Sequence, residues 1–263
     1  MDLGLNKKKA IVCGASKGLG YAVARGLAQE GVDVAINSRN EEKIKSAAER
    51  LASETRQQIY PFAGDLTDPY FPQKMVSAAA DRLGGVDILV TNAGGPPPGA
   101  FESIDEAAWE KAVDLSFMSH VRMIRAALPY LRKSKAASVL TITSYSVKQP
   151  IPNLVLSNSI RLATIGLTKT LALELGADAI RFNSILPGWT ETERVRELMA
   201  PRAEAAGTTI EEEIAKQMAD SPLGRMATPE EFANAAVFIV SPAAAYITGV
   251  MLSLDGGMYK GTL

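Results

Sequence analysis

Three short clusters in this sequence carry residue types and spacings that can do chemistry. The first is Gly14-Ala15-Ser16-Lys17-Gly18-Leu19-Gly20, set between the apolar run Lys9 to Cys13 and residues Leu19, Ala22, Val23 and Leu27 at helical spacing. Glycines in that pattern allow a sharp strand-to-helix turn whose backbone approaches a ligand closely, and the helix behind it aims its free N-terminal amides at a phosphate. The second is Asn37-Ser38-Arg39, directly after the apolar run Val32 to Ile36. A dinucleotide site that holds a ribose 2′-hydroxyl places an acid there, whereas a 2′-phosphate calls for cations. Here Ser38 and Arg39 stand in place of the acid and Lys17 lies in the glycine turn, so the expected cofactor is NADP, with Lys17 and Arg39 at its 2′-phosphate. The competing reading of Arg39 is a surface arginine paired with Glu41 or Glu42. The third cluster is Ser144-Tyr145-Ser146 after Val139 to Thr143, with Lys148 three residues past Tyr145. A hydroxyl at the carboxyl end of a strand faces the ligand crevice of an open α/β sheet.

Other reactive groups are sparse. Cys13 is the single cysteine and His120 the single histidine, so neither an internal disulfide nor a zinc cluster is available, and no metal is expected. His120 lies among apolar helical residues, as a packed histidine would, and Cys13 reads as a small apolar residue of a buried strand.

The intervening chain supplies the elements that position these groups. Polar helical residues from Glu41 to Ser53 lead to a strand near Ile59 to Phe62 and the turn Gly64-Asp65-Leu66-Thr67-Asp68-Pro69. Asp68-Pro69 reads as a cap with proline at the first helical position, which leaves Asp65 free to touch an adenine. A helix from Pro69 to Leu83 and the buried run Asp87 to Thr91 bring the chain to Asn92-Ala93-Gly94-Gly95, small residues that suit close approach to a cofactor. A long helical pattern spans Asp105 to Lys133 and is expected to bend or stop at Leu128-Pro129. A helix from about Ser157 to Leu175, the strand Arg181 to Leu186, the turn Pro187-Gly188-Trp189-Thr190 and a final strand Val250 to Leu254 complete the pattern. Residues 190–228 are charged and helical and read as a lid over the substrate; Thr228-Pro229-Glu230-Glu231 is a capping box opening the next helix. Strands alternate with helices throughout, so the expectation is an α/β chain, one doubly wound sheet of about seven parallel strands spanning 1–263.

Taken together, Gly14 to Gly20, Asp65-Leu66, Asn92-Ala93-Gly94, Ser144, Pro187-Gly188 with Thr192, and Asp255-Gly256-Gly257 resemble the short-chain dehydrogenase/reductases, in particular their 3-oxoacyl-(acyl-carrier-protein) reductase-like branch. That resemblance implies a Rossmann-type sheet, hydride transfer between a nicotinamide and a carbonyl or alcohol, and a homotetramer or homodimer. It places Ser16, Leu19, Ala93, Thr190 and Thr192 at the cofactor, Asp65 and Leu66 at its adenine, and Asn92, Arg161 and Gly188 at its nicotinamide end. The branch's proton-transfer signature, Tyr-x-x-x-Lys, departs: counting back from Gly166-Leu167-Thr168-Lys169 puts Ser157 at the tyrosine position and Arg161 at the lysine position. Asp114, in Val113-Asp114-Leu115, stands where the family carries a helix asparagine. A tyrosine lowered by an adjacent ammonium can give a proton to a developing alkoxide, whereas a serine hydroxyl does not readily ionise and recover. Two substitutes are available: Tyr145 with the Lys148 cation, against Tyr145 as loop packing or substrate contact, or a water held by Ser144, Ser157 and Asp114. The alternative to an enzyme acting on a small-molecule or acyl-thioester carbonyl is a catalytically deficient NADP(H)-binding sensor or scaffold subunit.

Bulk properties narrow the partners. With 28 basic and 29 acidic residues the net charge is −1, which gives no field for nucleic acid or an anionic membrane. The N-terminal residues lack the apolar segment of a signal peptide, the apolar C-terminal stretch is broken by Ser241-Pro242 and Thr248-Gly249, and a cytoplasmic setting is expected.

Overall fold

In the computed structural model, which describes residues 1–262, seven strands form one parallel sheet. They are β1 (Lys9–Val12), β2 (Asp33–Ser38), β3 (Ile59–Ala63), β4 (Ile88–Thr91), β5 (Ser138–Ile142), β6 (Arg181–Pro187) and β7 (Met251–Leu254), in the order β3-β2-β1-β4-β5-β6-β7. Strand order reverses between β1 and β4, and the crevice beyond their carboxyl ends is where such a sheet takes a ligand. Alternating residues build the two faces. Val12, Ile36, Val90 and Leu140 turn to one side, against α1 (Gly18–Gln29), α2 (Glu41–Thr55) and α9 (Pro229–Val240). Ile11, Ala35, Leu89 and Val139 turn to the other, against α3 (Phe71–Leu83), α5 (Ser119–Leu131) and α6 (Val155–Glu174). Burial on both sides explains why the strands read as continuous apolar runs.

Helix ends follow the local chemistry, with two corrections to the sequence reading. The helix expected to open at Pro69 begins instead at Phe71 with proline in its first turn. Asp68 does not cap it: its Oδ1 accepts from the amide of Tyr70 at 2.8 Å, an Asx turn that ends before helical hydrogen bonding starts. The long helix does not stop at Pro129. It runs as α4 (Glu106–Val113), a π-turn over Asp114–Met118, and α5 through Leu131 with Pro129 inside. The carbonyl that Pro129 leaves without a partner belongs to exposed Arg125, where water can satisfy it. The capping box at Thr228 forms as expected, Thr228 Oγ1 accepting from the Glu231 amide at 3.2 Å and Glu231 Oε2 from the Thr228 amide at 2.8 Å.

Between β6 and α9 the chain makes α7 (Glu193–Ala206) and α8 (Ile210–Met218). Their apolar sides, with Val195 and Met199 buried, pack over Tyr145, Leu186, Trp189 and Met258 as a third small core at the carboxyl edge of the sheet. At the opposite, amino end of β6, Arg181 holds the end of α9, donating to the carbonyls of Ile239, Val240, Ser241 and Ile247 at 2.8 to 3.1 Å. No helix among the described residues is long and apolar enough to cross a membrane, and no group of three or more candidate metal ligands occurs among them.

Candidate active site

The glycine turn is built as its sequence requires. Gly14 and Gly18 have φ of 59° and 61°, in the left-handed region that favours glycine. At Gly20 a Cβ would lie 2.4 Å from the carbonyl oxygen of Gly14, so only glycine lets α1 start this close to β1. Asn92, at the end of β4, donates through Nδ2 to that same Gly14 carbonyl at 3.3 Å, and the Ala15 amide donates to Asn37 O at 2.9 Å. The turn is therefore pinned from both neighbouring strands. Lys17 is the residue preceding α1, and neither a side-chain cap nor an acid in the first turn occupies the helix amides. These free donors at the switch point fit a dinucleotide pyrophosphate. At the other end of the crevice Gly188 lies so near Asp255 that a Cβ would fall 2.8 Å from its Cα.

Past β2, Ser38 bonds its own turn through Oγ to Asn40 O at 3.3 Å, and Arg39 is exposed. Glu41 pairs with Lys45, not with Arg39. Among the described residues Arg39 has no ionic partner, which leaves its guanidinium for a ligand. Lys17 is engaged: its ammonium contacts Glu193 directly and Glu197 at 3.5 Å, both on α7. Those contacts raise the Lys17 pKa and lower that of Glu193. Asp65 accepts from the amide and hydroxyl of Thr67, both at 2.9 Å, and is thus partly spent on its turn, while Leu66 beside it is buried.

The polar groups at the catalytic end divide. Arg161 on α6 is buried, and its Nη1 donates to the carbonyls of Ile142 at 3.4 Å and Thr143 at 3.1 Å. Thr143 immediately precedes Ser144, so one side chain ties α6 to the serine's backbone. Burial, with Arg194 adding repulsion, pushes the Arg161 guanidinium down to about 10, which leaves it charged at neutral pH. Ser144 Oγ accepts from the Ser146 amide at 3.1 Å, and its O–H remains able to donate. Ser157 lies one helical turn before Arg161 on the same face of α6. Asp114 joins neither: it sits in the π-turn and is bound by Arg122 Nη2 at 2.9 Å, whose Nη1 donates to Thr67 O at 3.0 Å. Tyr145 is 7% exposed in the small core under α7, and burial, then Asp255 and Asp220, raise its pKa. Lys148 does not serve it, its ammonium lying 5.3 Å over the ring of Tyr259. His120 is held by its Nδ1 to Thr91 Oγ1 at 2.6 Å, and burial together with Arg161 lowers it to about 3, so it stays neutral. It is the packed histidine the sequence implied.

Two participants had no signal in the sequence. Arg194 on α7 donates through Nη2 to Pro96 O at 3.1 Å, and Glu193 meets Lys17. Each joins segments nearly 100 or more residues apart, and only Thr192 in the family pattern pointed to this turn.

Comparison with known proteins fits this arrangement. The family model described as Enoyl-(Acyl carrier protein) reductase matches residues 14–259. A rabbit (Oryctolagus cuniculus) protein, Dehydrogenase/reductase SDR family member 4, is 34% identical over 96% of this chain and 94% of its own. The chain belongs to the short-chain dehydrogenase/reductase family. It is accordingly an oxidoreductase, and the seven-stranded Rossmann-type sheet is the family's. The 3-oxoacyl-(acyl-carrier-protein) reductase of Chlamydia muridarum is 31% identical over 97% of this chain and 98% of its own. Among solved structures, L-sorbose reductase from Gluconobacter frateurii, complexed with NADPH and L-sorbose, superposes with a TM-score of 0.94 at 30% identity, covering 99% of this chain and all of that one. These relatives are dehydrogenases and reductases, and none supports the alternative of a catalytically deficient subunit.

Proposed function

We propose that this short-chain reductase uses NADP(H) to interconvert a carbonyl and an alcohol, on a small-molecule or 3-oxoacyl thioester substrate. The observation that carries the cofactor reading is the end of β2: Ser38 and an unpaired Arg39 where an acid would select NAD, beside a glycine turn whose helix amides are free. The structure of L-sorbose reductase with NADPH lends support. Ser16, Lys17, Gly18 and Leu19 would hold the phosphates, Asp65 and Leu66 the adenine, and Asn92, Ala93, Gly94, Arg161, Pro187, Gly188, Thr190 and Thr192 the nicotinamide half.

When bound, a nicotinamide would supply or accept the hydride, and the chain manages the negative charge and the proton. Ser144 donates its O–H to the carbonyl oxygen and fixes its orientation. Arg161, buried and without an acidic partner among the described residues, stabilises the alkoxide that develops there, an electrostatic effect that grows where water is excluded. The proton is relayed from bulk solvent through a water held at Ser157, which takes up a solvent proton as it gives one to the alkoxide and so replaces the acid absent from the tyrosine position. Tyr145 forms a wall of the substrate side, and residues 190–228 form the lid. The protein works in the cytoplasm as a homotetramer or homodimer, associating through the exposed stripe of α6 that carries Leu162 and Leu173.

The test is NADPH oxidation with a panel of carbonyls including a 3-oxoacyl thioester. Ser144→Ala should lower kcat/KM by about a hundredfold, as loss of an oxyanion donor does, while Tyr145→Phe should stay within about threefold. Loss of all turnover in Tyr145→Phe would transfer the proton to the phenol. Tight NADPH binding with no carbonyl turned over would overturn the enzymatic reading.

A further inference from the structure

The first turn of α7 is fastened to both lips of the cofactor crevice. On one side the Lys17 ammonium is held by Glu193 and by Glu197 at 3.5 Å, and Thr192 packs over Gly18, its Cγ2 3.8 Å from where a Cβ would be. On the other side Arg194 Nη2 donates to Pro96 O at 3.1 Å. Glu193 also lies within electrostatic reach of Lys43, which opens α2 three residues after Asn40 and so borders the Arg39 turn. A carboxylate thus holds Lys17 and feels the charge of Lys43, two cations that border the region assigned above to the 2′-phosphate.

We infer that Glu193, assisted by Glu197, is an internal stand-in for the 2′-phosphate, latching α7 over the crevice and setting the enzyme's discrimination between NADP(H) and NAD(H). The inference rests on the NADP reading and adds a specificity determinant to it. An arriving 2′-phosphate competes with these carboxylates for Lys17, and the two anions repel when they share it. Cofactors lacking the phosphate leave the latch closed. The lid is thereby coupled to one chemical group: NADP(H) frees the first turn of α7, and NAD(H) does not. Arg39 has no such competitor among the described residues and gives the phosphate its first contact.

The experiment measures NADPH and NADH dissociation constants by nicotinamide fluorescence for the wild type, for Glu193→Gln/Glu197→Gln, and for both in a Lys17→Gln background. Removing two exposed carboxylates from one cation should tighten NADPH by about three- to tenfold at low salt, with NADH changed less than about twofold. In the Lys17→Gln background the gain should vanish. Raised salt should shrink it, since the groups are exposed. Unchanged NADPH affinity, an equal gain for NADH, or a gain that survives Lys17→Gln would each overturn the inference while leaving the proposed function intact. A wild type that binds NADH but not NADPH would overturn the NADP reading and the latch with it. Far-ultraviolet circular dichroism and the thermal midpoint of each variant establish that it is folded, so a null result cannot be laid to misfolding.

Discussion

Among the described glycines, the one whose added Cβ would fall nearest to other backbone makes a quantitative prediction. In Gly20→Ala the added methyl would start 2.4 Å from Gly14 O, 2.8 Å from Gly14 C and 2.9 Å from Cys13 O. Ordinary contact begins at 3.4 Å, so α1 must withdraw by 3.4 − 2.4 = 1.0 Å, and backbone atoms on both sides cannot turn aside. Overpacking of that kind costs about 1–3 kcal/mol. For a chain of this size each kcal/mol lowers Tm by about 2–4 °C, so a cost near 2 kcal/mol gives a fall of about 6 °C. The same displacement carries the helix amides away from the phosphates, and NADPH should bind at least about tenfold more weakly. Gly26→Ala on the same helix is the comparison. Its methyl would meet Val237 Cγ2 at 3.0 Å, the end of a side chain that can shift, and alanine gains about 1 kcal/mol of helix propensity. That variant should stay within about 1 kcal/mol of wild type and keep its affinity. Differential scanning calorimetry and NADPH titration read both. An undisturbed Gly20→Ala, or a Gly26→Ala equally damaged in both assays, would refute the reasoning from backbone contact.

Other groups give further expectations. His120, near 6.5 when unfolded and held down to about 3 in the fold, makes the unfolded chain take up a proton that the native state refuses as pH falls below 6.5. Stability should therefore fall by up to about 1.4 kcal/mol per pH unit between pH 6.5 and 5, and urea midpoints of His120→Asn should show a flatter slope. Cys13 is fully buried and its thiol is pushed up to about 12, so disulfide exchange reagents at pH 8 should label it only after unfolding. Thr228→Ala removes the hydroxyl that caps α9 and should cost about 1 kcal/mol, seen as a lower urea midpoint without change in the slope.

What the sequence made legible was what short-range physics specifies. The glycine turn, the polar ending of β2 at Ser38 and the Thr228 capping box are each set by a few neighbouring residues, and their local geometry in the structure follows from them. The alternation of apolar runs was enough for the sheet because a parallel strand buried on both faces leaves a continuous signature. Errors came where two local preferences competed. Asp68-Pro69 satisfies the pattern of a capped helix start, but an Asx turn uses the same carboxylate two residues earlier than the helix needs it. Pro129 carries a strong breaking tendency, yet on a solvent face the cost is a carbonyl that water accepts. The Lys17 to Glu193 and Arg194 to Pro96 contacts were illegible for a different reason: no spacing relates residues so far apart in the chain, and only folding brings them within reach.

The extra residue in the π-turn at Asp114–Met118 gives the helix a change of phase. Everything after it is rotated by roughly 100° relative to a straight helix of the same length. That rotation lets Ser116 present its carbonyl to Thr164 Oγ1 at 2.8 Å while Asp114, two positions earlier, leans out to Arg122. Excising one residue between 114 and 118 would restore regular winding, swing His120 off the sheet and tip the buried side of α5 toward solvent. An engineered chimera joined across this point must keep the π-turn or repack the entire α5 seam.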